Sequence, residues 1–78
     1  MQLETIVVDF QNSDTLGRVR LTTNGARQSI SENSIELIEG KSVMLDDGYE
    51  LRNMGILRFS KEENIWVAEF DDNAFTYY

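Results

Sequence analysis

The sequence contains no histidine, no cysteine and no proline, and only seven Lys and Arg stand against fourteen Asp and Glu. Without histidine and cysteine, the chain lacks the imidazole base, the thiolate nucleophile and the two commonest ligands of zinc. No GxxxxGK[ST] or GxGxxG pattern occurs among the five glycines, which excludes nucleotide binding through those loops. We therefore expect a protein that is not an enzyme and that has no cofactor and no metal site.

The 78 residues allow one domain, and a domain of this size buries only about 60–65% of the surface that its unfolded chain exposes. Hydrophobic residues make up 41% of the chain, which is enough for one compact core. We expect a single domain over residues 1–78, as a monomer or a small homo-oligomer. The absence of disulfides favours an intracellular location, and the N-terminal MQLE lacks the features of a signal peptide or membrane span. A cytoplasmic protein without membrane contact is predicted.

The formal net charge is −7 at pH 7. This charge opposes direct binding to nucleic acid, because affinity for phosphates comes largely from Lys and Arg that displace counterions. A basic protein partner fits the charge better. The alternative is that the negative charge only keeps a small domain in solution.

Hydrophobic and polar residues alternate along most of the chain, and no long stretch has the 3.6-residue period of an amphipathic helix. This alternation predicts a mostly β protein. In a first strand over residues 3–10, Ile6 and Val8 share one face, with Val7 on the other. In a second strand over residues 17–23, alternate apolar residues form one face and the two arginines at 18 and 20 form the other.

The segment after the second strand has two interpretations. Asn24-Gly25 is typical of a type I′ hairpin turn, which needs positive φ at both central positions. Residues 26–30 would then return as a strand. The alternative is one short helical turn within residues 26–33, followed by an irregular stretch.

From residue 34 onward, turn residues separate the predicted strands at regular intervals. Gly55 interrupts an apolar run over residues 49–60, so we expect one long strand that turns a corner there through a bulge or a bend. Further strands are predicted at residues 35–38, 43–45, 49–54, 56–60 and 65–71, with turns at 39–41, 46–48 and 61–64.

The end of the chain is predicted to complete the core. Trp66, with Phe59 and Phe70, is expected at the centre of the hydrophobic interior. Residues 71–73 offer an N-cap for a single helical turn through residues 74–75. Such a turn would plug one end of a small barrel.

These patterns predict an all-β fold, a small single-domain antiparallel barrel of SH3-like or OB-like type. It would have six to seven short strands and at most one short helical turn. Closure would remove the unpaired edges that make small sheets aggregate. Because proline is absent, charged residues must protect any open edge, and they alternate with core positions at Arg18, Arg20, Glu50, Arg52, Arg58 and Glu69.

Paired carboxylates are the one catalytic or metal-binding chemistry that remains. The pairs are Asp46-Asp47, Glu62-Glu63 and Asp71-Asp72, and all three lie in predicted turns. Asp is favoured in turns for its side-chain bonds to the backbone, so the structural interpretation competes with the catalytic one. The calcium-loop pattern is absent, and no specific metal site follows.

Two surfaces are candidates for binding. Arg18 and Arg20, helped by Arg27 across the proposed hairpin, could hold an anionic ligand, because guanidinium groups bind carboxylate and phosphate bidentately. Ordinary pairing of these arginines with nearby acids is the alternative.

The second candidate surface is acidic and aromatic. Its tyrosines lie near predicted element ends and could anchor a partner, although capping of the barrel by the C-terminal tail explains them equally well. The residues proposed for partner binding are Tyr49, Tyr77, Tyr78, Asp46, Asp47, Glu62 and Glu63.

Two resemblances can be read from short strings. GRVRL at 17–21, IELIEG at 35–40 and IWVA at 65–68 resemble segments of small uncharacterised bacterial proteins, which implies a bacterial all-β protein without a known activity. The pattern from residue 39 through Gly55 to Phe70 also resembles the second half of a PilZ-type barrel, a class that binds cyclic di-GMP. That family reads its ligand with RxxxR and DxSxxG motifs, neither of which is present, so the ligand is not carried over.

Three functions follow as hypotheses. The first is a non-catalytic protein-interaction module that binds through the acidic and aromatic surface or through a sheet edge. The second is an acidic inhibitor that mimics nucleic acid and blocks a basic nuclease; small acidic phage proteins of the anti-defence type are similar to this chain in size and charge only. The third is a barrel that binds a small anion through Arg18 and Arg20.

Overall fold

The computed structural model describes residues 3–77. Its regular elements, in chain order, are β1 (Thr5–Val7), β2 (Val19–Arg20), α1 (Asn24–Glu32), β3 (Ser42–Asp46), β4 (Leu51–Ser60), β5 (Ile65–Glu69) and β6 (Thr76–Tyr77).

The strands form one curled sheet in the order β1-β3-β4-β5-β2, and β6 adds to β4. The ten-residue strand β4 organises this sheet, because its first half pairs with β3 and its second half pairs with β5. The curl makes a half-barrel in a small domain, and the predicted class of small all-β barrel is confirmed. One detail differs from the expected antiparallel sheet: β1 pairs with β3 in parallel.

Gly55 lets β4 continue where a larger residue would collide with the neighbouring strand. A Cβ atom at this position would lie 2.6 Å from Cδ1 and 2.8 Å from Cγ of Leu45. Leu45 is fully buried and has little room to move. The prediction of one continuous strand through Gly55 is therefore confirmed, but its ladder with β3 runs without a bulge and the glycine serves a close approach.

The core lies on the concave side of the sheet and is aliphatic. Trp66 is only partly buried and packs at the border of the core, with its ring 5.4 Å from that of Phe59. The expectation that Trp66 lies at the centre is thus wrong. Fully buried branched residues occupy the centre, because they fill the narrow space between the curled strands, and they are Ile6, Val19, Val43, Leu45 and Leu57.

The predicted Asn24-Gly25 hairpin is wrong, and the helical alternative extends further than one turn. Thr23 is the N-cap of α1, and its Oγ1 accepts a hydrogen bond from the Ala26 amide at 3.1 Å. Ala26 and Ser29 are buried, and Ile30 packs against the core. No helix within residues 3–77 has the length and apolar character needed to cross a membrane.

Both outer strands of the sheet are covered. At the β1 edge, the Val7 amide donates to Oγ of Ser29 in α1 at 3.1 Å. At the β2 edge, the preceding loop pairs with the strand, and the Arg20 amide donates to the Asn12 carbonyl at 2.9 Å. Aggregation at these edges is thus opposed by local cover and not by complete closure of the sheet.

Two further predictions are corrected. Residues 35–38 form no strand, although their burial alternates as it would in one, because they pair with no strand of the described sheet and the Ile35 amide donates instead to the Ile30 carbonyl of α1 at 3.0 Å. Residues 71–74 form a tight turn without a helix, closed by a hydrogen bond from the Ala74 amide to the Asp71 carbonyl.

Candidate functional site

The β-ladder has a gap along one side of β4. Towards its end, Ile56 pairs with Glu69 of β5, and near its start Arg52 pairs with Thr76 of β6. Residues 53–55 of β4 lie between these two pairs. On the opposite side of the ladder, the segment that connects β5 with β6 consists of residues 70–75. A regular ladder would oppose three residues with three, so the connecting segment must leave the plane of the sheet here.

The backbone of Met54 faces this gap. Towards β3, the amide of Leu57 donates to the Lys41 carbonyl and the carbonyl of Leu51 accepts from the Asp47 amide. Because backbone groups alternate in direction along a strand, residues 51, 53, 55 and 57 bond towards β3 and residues 52, 54 and 56 face the other side. Within residues 3–77, the amide and carbonyl of Met54 have no hydrogen-bond partner on that side.

An aromatic cluster and a buried asparagine hold the connecting segment on the core side of β4. Phe75 lies edge-on to Phe10, with ring centroids 4.9 Å apart, and 5.7 Å from Phe70. The buried side chain of Asn53 donates through Nδ2 to the Asp71 carbonyl at 2.7 Å. These contacts direct residues 70–75 to the core side of the sheet, which leaves the Met54 edge open from the other side.

A groove of about 610 Å³ lies over this open edge, which we call the Met54 groove. Its apolar walls are Leu16, Met54, Ile56 and Phe70. The side chains of Leu16 and Met54 are 72% and 56% exposed, although both are large and hydrophobic. An unpaired strand edge beside exposed apolar side chains is the arrangement at which a further chain adds to a sheet.

The charged residues around the groove are of two kinds. Arg18 is paired with Asp14 at 2.8 Å, and Glu69 is paired with Arg58 at 3.1 Å, so these two lining residues are neutralised locally. Asp71, which also lines the groove, and the adjacent Asp72 have no ion pair within the described residues. The uncompensated charge at the groove is therefore negative.

Asp14 fixes the loop that carries Leu16. Its side chain is only 3% exposed, and its carboxylate accepts from the Leu16 and Arg18 amides and from Arg18 Nε, at 2.8–2.9 Å. Burial raises the pKa of Asp14, but the hydrogen bonds from Arg18 and Leu16 outweigh it, and the pKa is lowered overall. The ionised form of Asp14 thus stabilises this wall of the groove.

The residues of the predicted acidic and aromatic surface are divided between two places. Tyr49 and Tyr77 are 84% and 67% exposed and lie near the start of β4, where Tyr77 pairs with Leu51. Tyr78 lies outside the described residues. Glu62 and Glu63 follow the other end of β4, so about 30 Å of strand separates them from the tyrosines. The six described residues of this set do not form one surface.

Asp46 and Asp47 organise the turn before β4. The Oδ1 atom of Asp47 accepts from the amides of Tyr49, Glu50 and Leu51 at 2.8–3.1 Å. The bond from the Tyr49 amide is the main cause of its lowered pKa, with those from Leu51 and Glu50 adding to it. Asp46 accepts from the Gly48 amide and lies 3.4 Å from Arg52, so both acids have structural partners.

The three arginines of the predicted anion site are separated or already paired. Arg20 forms a bidentate pair with Glu63, at 2.7 and 2.8 Å, and also donates to Asn12. The hydrogen bonds to Glu63 raise the pKa of Arg20, and the same bonds lower that of Glu63. Arg18 is held by Asp14, and Arg27 lies on the exposed side of α1. On this face Arg18 and Arg20 therefore form ordinary ion pairs with nearby acids.

Sequence reasoning did not identify the Met54 groove. Met54 and Leu16 were visible as apolar residues next to polar ones, but single exposed hydrophobic residues are common on protein surfaces. The gap depends on the path of residues 70–75, which cannot be read from alternation. The length mismatch between two halves of a ladder becomes visible only when the register is known.

Within residues 3–77, no three His, Cys, Asp or Glu side chains come together in an arrangement that could hold a metal ion. The chain was compared with protein-family models, with curated proteins and with solved structures, and none of them matches it.

Proposed function

We propose that the protein is a non-catalytic interaction module that binds an extended segment of a partner protein in the Met54 groove. The observation that carries this proposal is the unpaired amide and carbonyl of Met54, placed in a gap of an otherwise paired strand and flanked by exposed apolar side chains.

Backbone pairing explains why such a site suits a peptide. One residue of an extended chain presents an amide and a carbonyl with the spacing of the Met54 groups, and the two chains exchange two hydrogen bonds. The affinity then comes from these bonds and from burial of Leu16 and Met54, while the side chains of the partner provide the specificity. Binding through backbone hydrogen bonds and apolar burial needs no nucleophile and no general acid.

The remaining hypotheses have less support. Anion binding would require Arg18 or Arg20 to exchange its present carboxylate partner for the ligand. Mimicry of nucleic acid would need carboxylates arranged as a row of phosphates, whereas Asp14, Asp47, Glu39 and Glu63 accept internal hydrogen bonds. No observation favours either hypothesis over the groove.

The test uses selection of displayed random heptapeptides on the immobilised full chain, followed by measurement of each selected peptide on two variants. Met54→Pro removes the free amide, and this amide takes no part in the β3 ladder, so the fold should tolerate proline at an edge. Met54→Leu keeps the amide and an apolar side chain. We expect the selected peptides to lose at least about tenfold in affinity on Met54→Pro and to retain it on Met54→Leu.

Circular dichroism of both variants controls for folding. Failure to select any peptide, or selection of peptides that bind a folded Met54→Pro as well as the parent chain, would contradict the proposal. In the second case the peptides would bind elsewhere on the surface.

A further inference from the structure

We infer that the segment bound in the Met54 groove is a short extended peptide with an apolar residue opposite Met54 and Lys or Arg on both sides of it. This inference rests on the proposed function and names the chemistry of its partner.

The length of the gap limits the pairing to a short stretch. From Arg52 to Ile56 there are four residue steps, or about 13 Å of strand, and both of these end residues are already bonded to β6 and β5. A single residue of the partner can therefore exchange both hydrogen bonds with Met54. The residues on either side of it must turn out over the surface and contact the rim of the groove.

The partner residue that pairs with Met54 must have an apolar side chain, because of the face of the sheet to which it points. Residues directly opposite each other in a ladder point their side chains to the same face. Met54 points to the outer face, where Leu16 and Ile56 line the same groove. An apolar side chain opposite Met54 would cover these residues, whereas a polar one would leave its hydrogen-bonding groups unpaired against them.

The charge of the rim determines the flanking residues. Arg18 and Glu69 are satisfied by Asp14 and Arg58, which leaves Asp71 as the unpaired charge that lines the groove, with the exposed Asp72 next to it in the chain. The net charge of −7 adds a field of the same sign over the whole surface. Lys or Arg beside the apolar residue would be attracted to this rim, and Asp or Glu would be repelled.

The same charge argues against a second copy of this chain as the occupant. A copy also carries a net charge of −7, so its approach is opposed by repulsion between the two surfaces. The partner we infer is consequently a different protein with a basic and apolar extended segment.

The experiment compares two capped peptides of the same length, GKVLVKG and GEVLVEG, by titration into the labelled full chain with detection of backbone amide shifts. We expect the lysine peptide to shift the Met54 amide and to bind about tenfold more tightly than the glutamate peptide at low salt. The preference should fall in the double variant Asp71→Asn/Asp72→Asn, in which asparagine keeps the oxygen that accepts from the Asn73 amide. It should also fall as salt is raised.

The outcomes separate the inference from the proposed function. Equal binding of both peptides at the Met54 amide, or a preference unchanged in the double variant, would overturn the inference while the groove remains a binding site. If neither peptide nor any selected heptapeptide shifts the Met54 amide, both proposals fail. Concentration-dependent dimerisation in sedimentation that is lost in Met54→Pro would also overturn the inference, because the occupant would then be a second copy.

Discussion

At the scale of single residues, Asp14 is the one buried acid within residues 3–77. It is buried and accepts three hydrogen bonds, two of them from backbone amides of the loop that carries Leu16. The Arg20–Glu63 pair has good bidentate geometry but is more exposed. Burial makes the loss of a hydrogen-bond partner more costly, so we expect Asp14 to matter more for folding than Glu63.

Replacement of Asp14 tests this difference. Asp14→Asn keeps one oxygen for the two backbone amides but places an NH2 group against Arg18 Nε. We expect the free energy of unfolding to fall by about 1–3 kcal/mol at pH 7 in urea titrations. Glu63→Gln is the matched control, and its effect should be clearly smaller. An equal effect of both changes would contradict the assigned role of Asp14.

The pH dependence of this effect has a defined sign. The pKa of Asp14 is lower in the folded state than its ordinary value of 3.8, so ionisation of Asp14 stabilises the fold. This contribution is fully present above about pH 4 and is lost as the pH falls through the lowered pKa. The stability difference between Asp14→Asn and the parent chain should therefore narrow below pH 4.

Gly55 provides a second test at this scale. Gly55→Ala would place a Cβ atom 2.6 Å from Leu45 Cδ1, and we expect a loss of about 1–3 kcal/mol from overpacking. Leu45→Ala alone would leave a cavity and lose about 2–5 kcal/mol. In the double variant the new methyl group should fill part of that cavity, so the loss should be smaller than the sum. Simple additivity would show that the two residues do not interact.

At the scale of elements, the segment from Phe70 to β6 determines where β4 is open. The rings of Phe10, Phe70 and Phe75 form one cluster, and this cluster directs the segment towards the core. The strand β6 has only two residues, and it pairs with Leu51 and Arg52 alone. We infer that β6 depends on Phe75 more than on its own hydrogen bonds, because two pairs cannot stabilise a strand.

Removal of this ring should release β6. We expect Phe75→Ala to lower the free energy of unfolding by about 1–3 kcal/mol and to make the Arg52 amide exchange with solvent faster. The amide of Leu57, which bonds to Lys41 on the other side of β4, serves as the internal control. Unchanged exchange at Arg52 would show that β6 is held independently of the aromatic cluster.

Alternation predicts the strands of this protein better than it predicts α1. Alternation predicted the core faces of β1 and of the first part of β4, where every second residue is buried, whereas β5 buries the consecutive residues Val67 and Ala68. In α1, Asn24-Gly25 suggested a hairpin, but Thr23 provides an N-cap, and the buried pair Ala26 and Ser29 has the spacing of a helix face. Nine residues are too few for that spacing to stand out against a β-like background.

At the scale of the whole molecule, the curl of the sheet decides which residues meet. The fold class could be predicted because alternation and turn residues are local properties. The candidate site could not, since the distances between surface residues depend on strand order and register. Asp47 and Glu63 occupy similar turn positions in the sequence but lie at opposite ends of β4. The gap beside Met54 follows only from which strands pair with β4 and in what register.

The gap in the ladder beside Met54 determines whether a further chain can pair with β4, and hydrogen exchange of the backbone amides in the unbound protein measures this gap residue by residue. We expect the amides of Asn53 and Gly55, which bond to β3, to be strongly protected, and the Met54 amide between them to exchange close to the rate of an unstructured peptide. Protection of the Met54 amide equal to that of its two neighbours would mean that the ladder is closed there and that no further strand can pair with Met54.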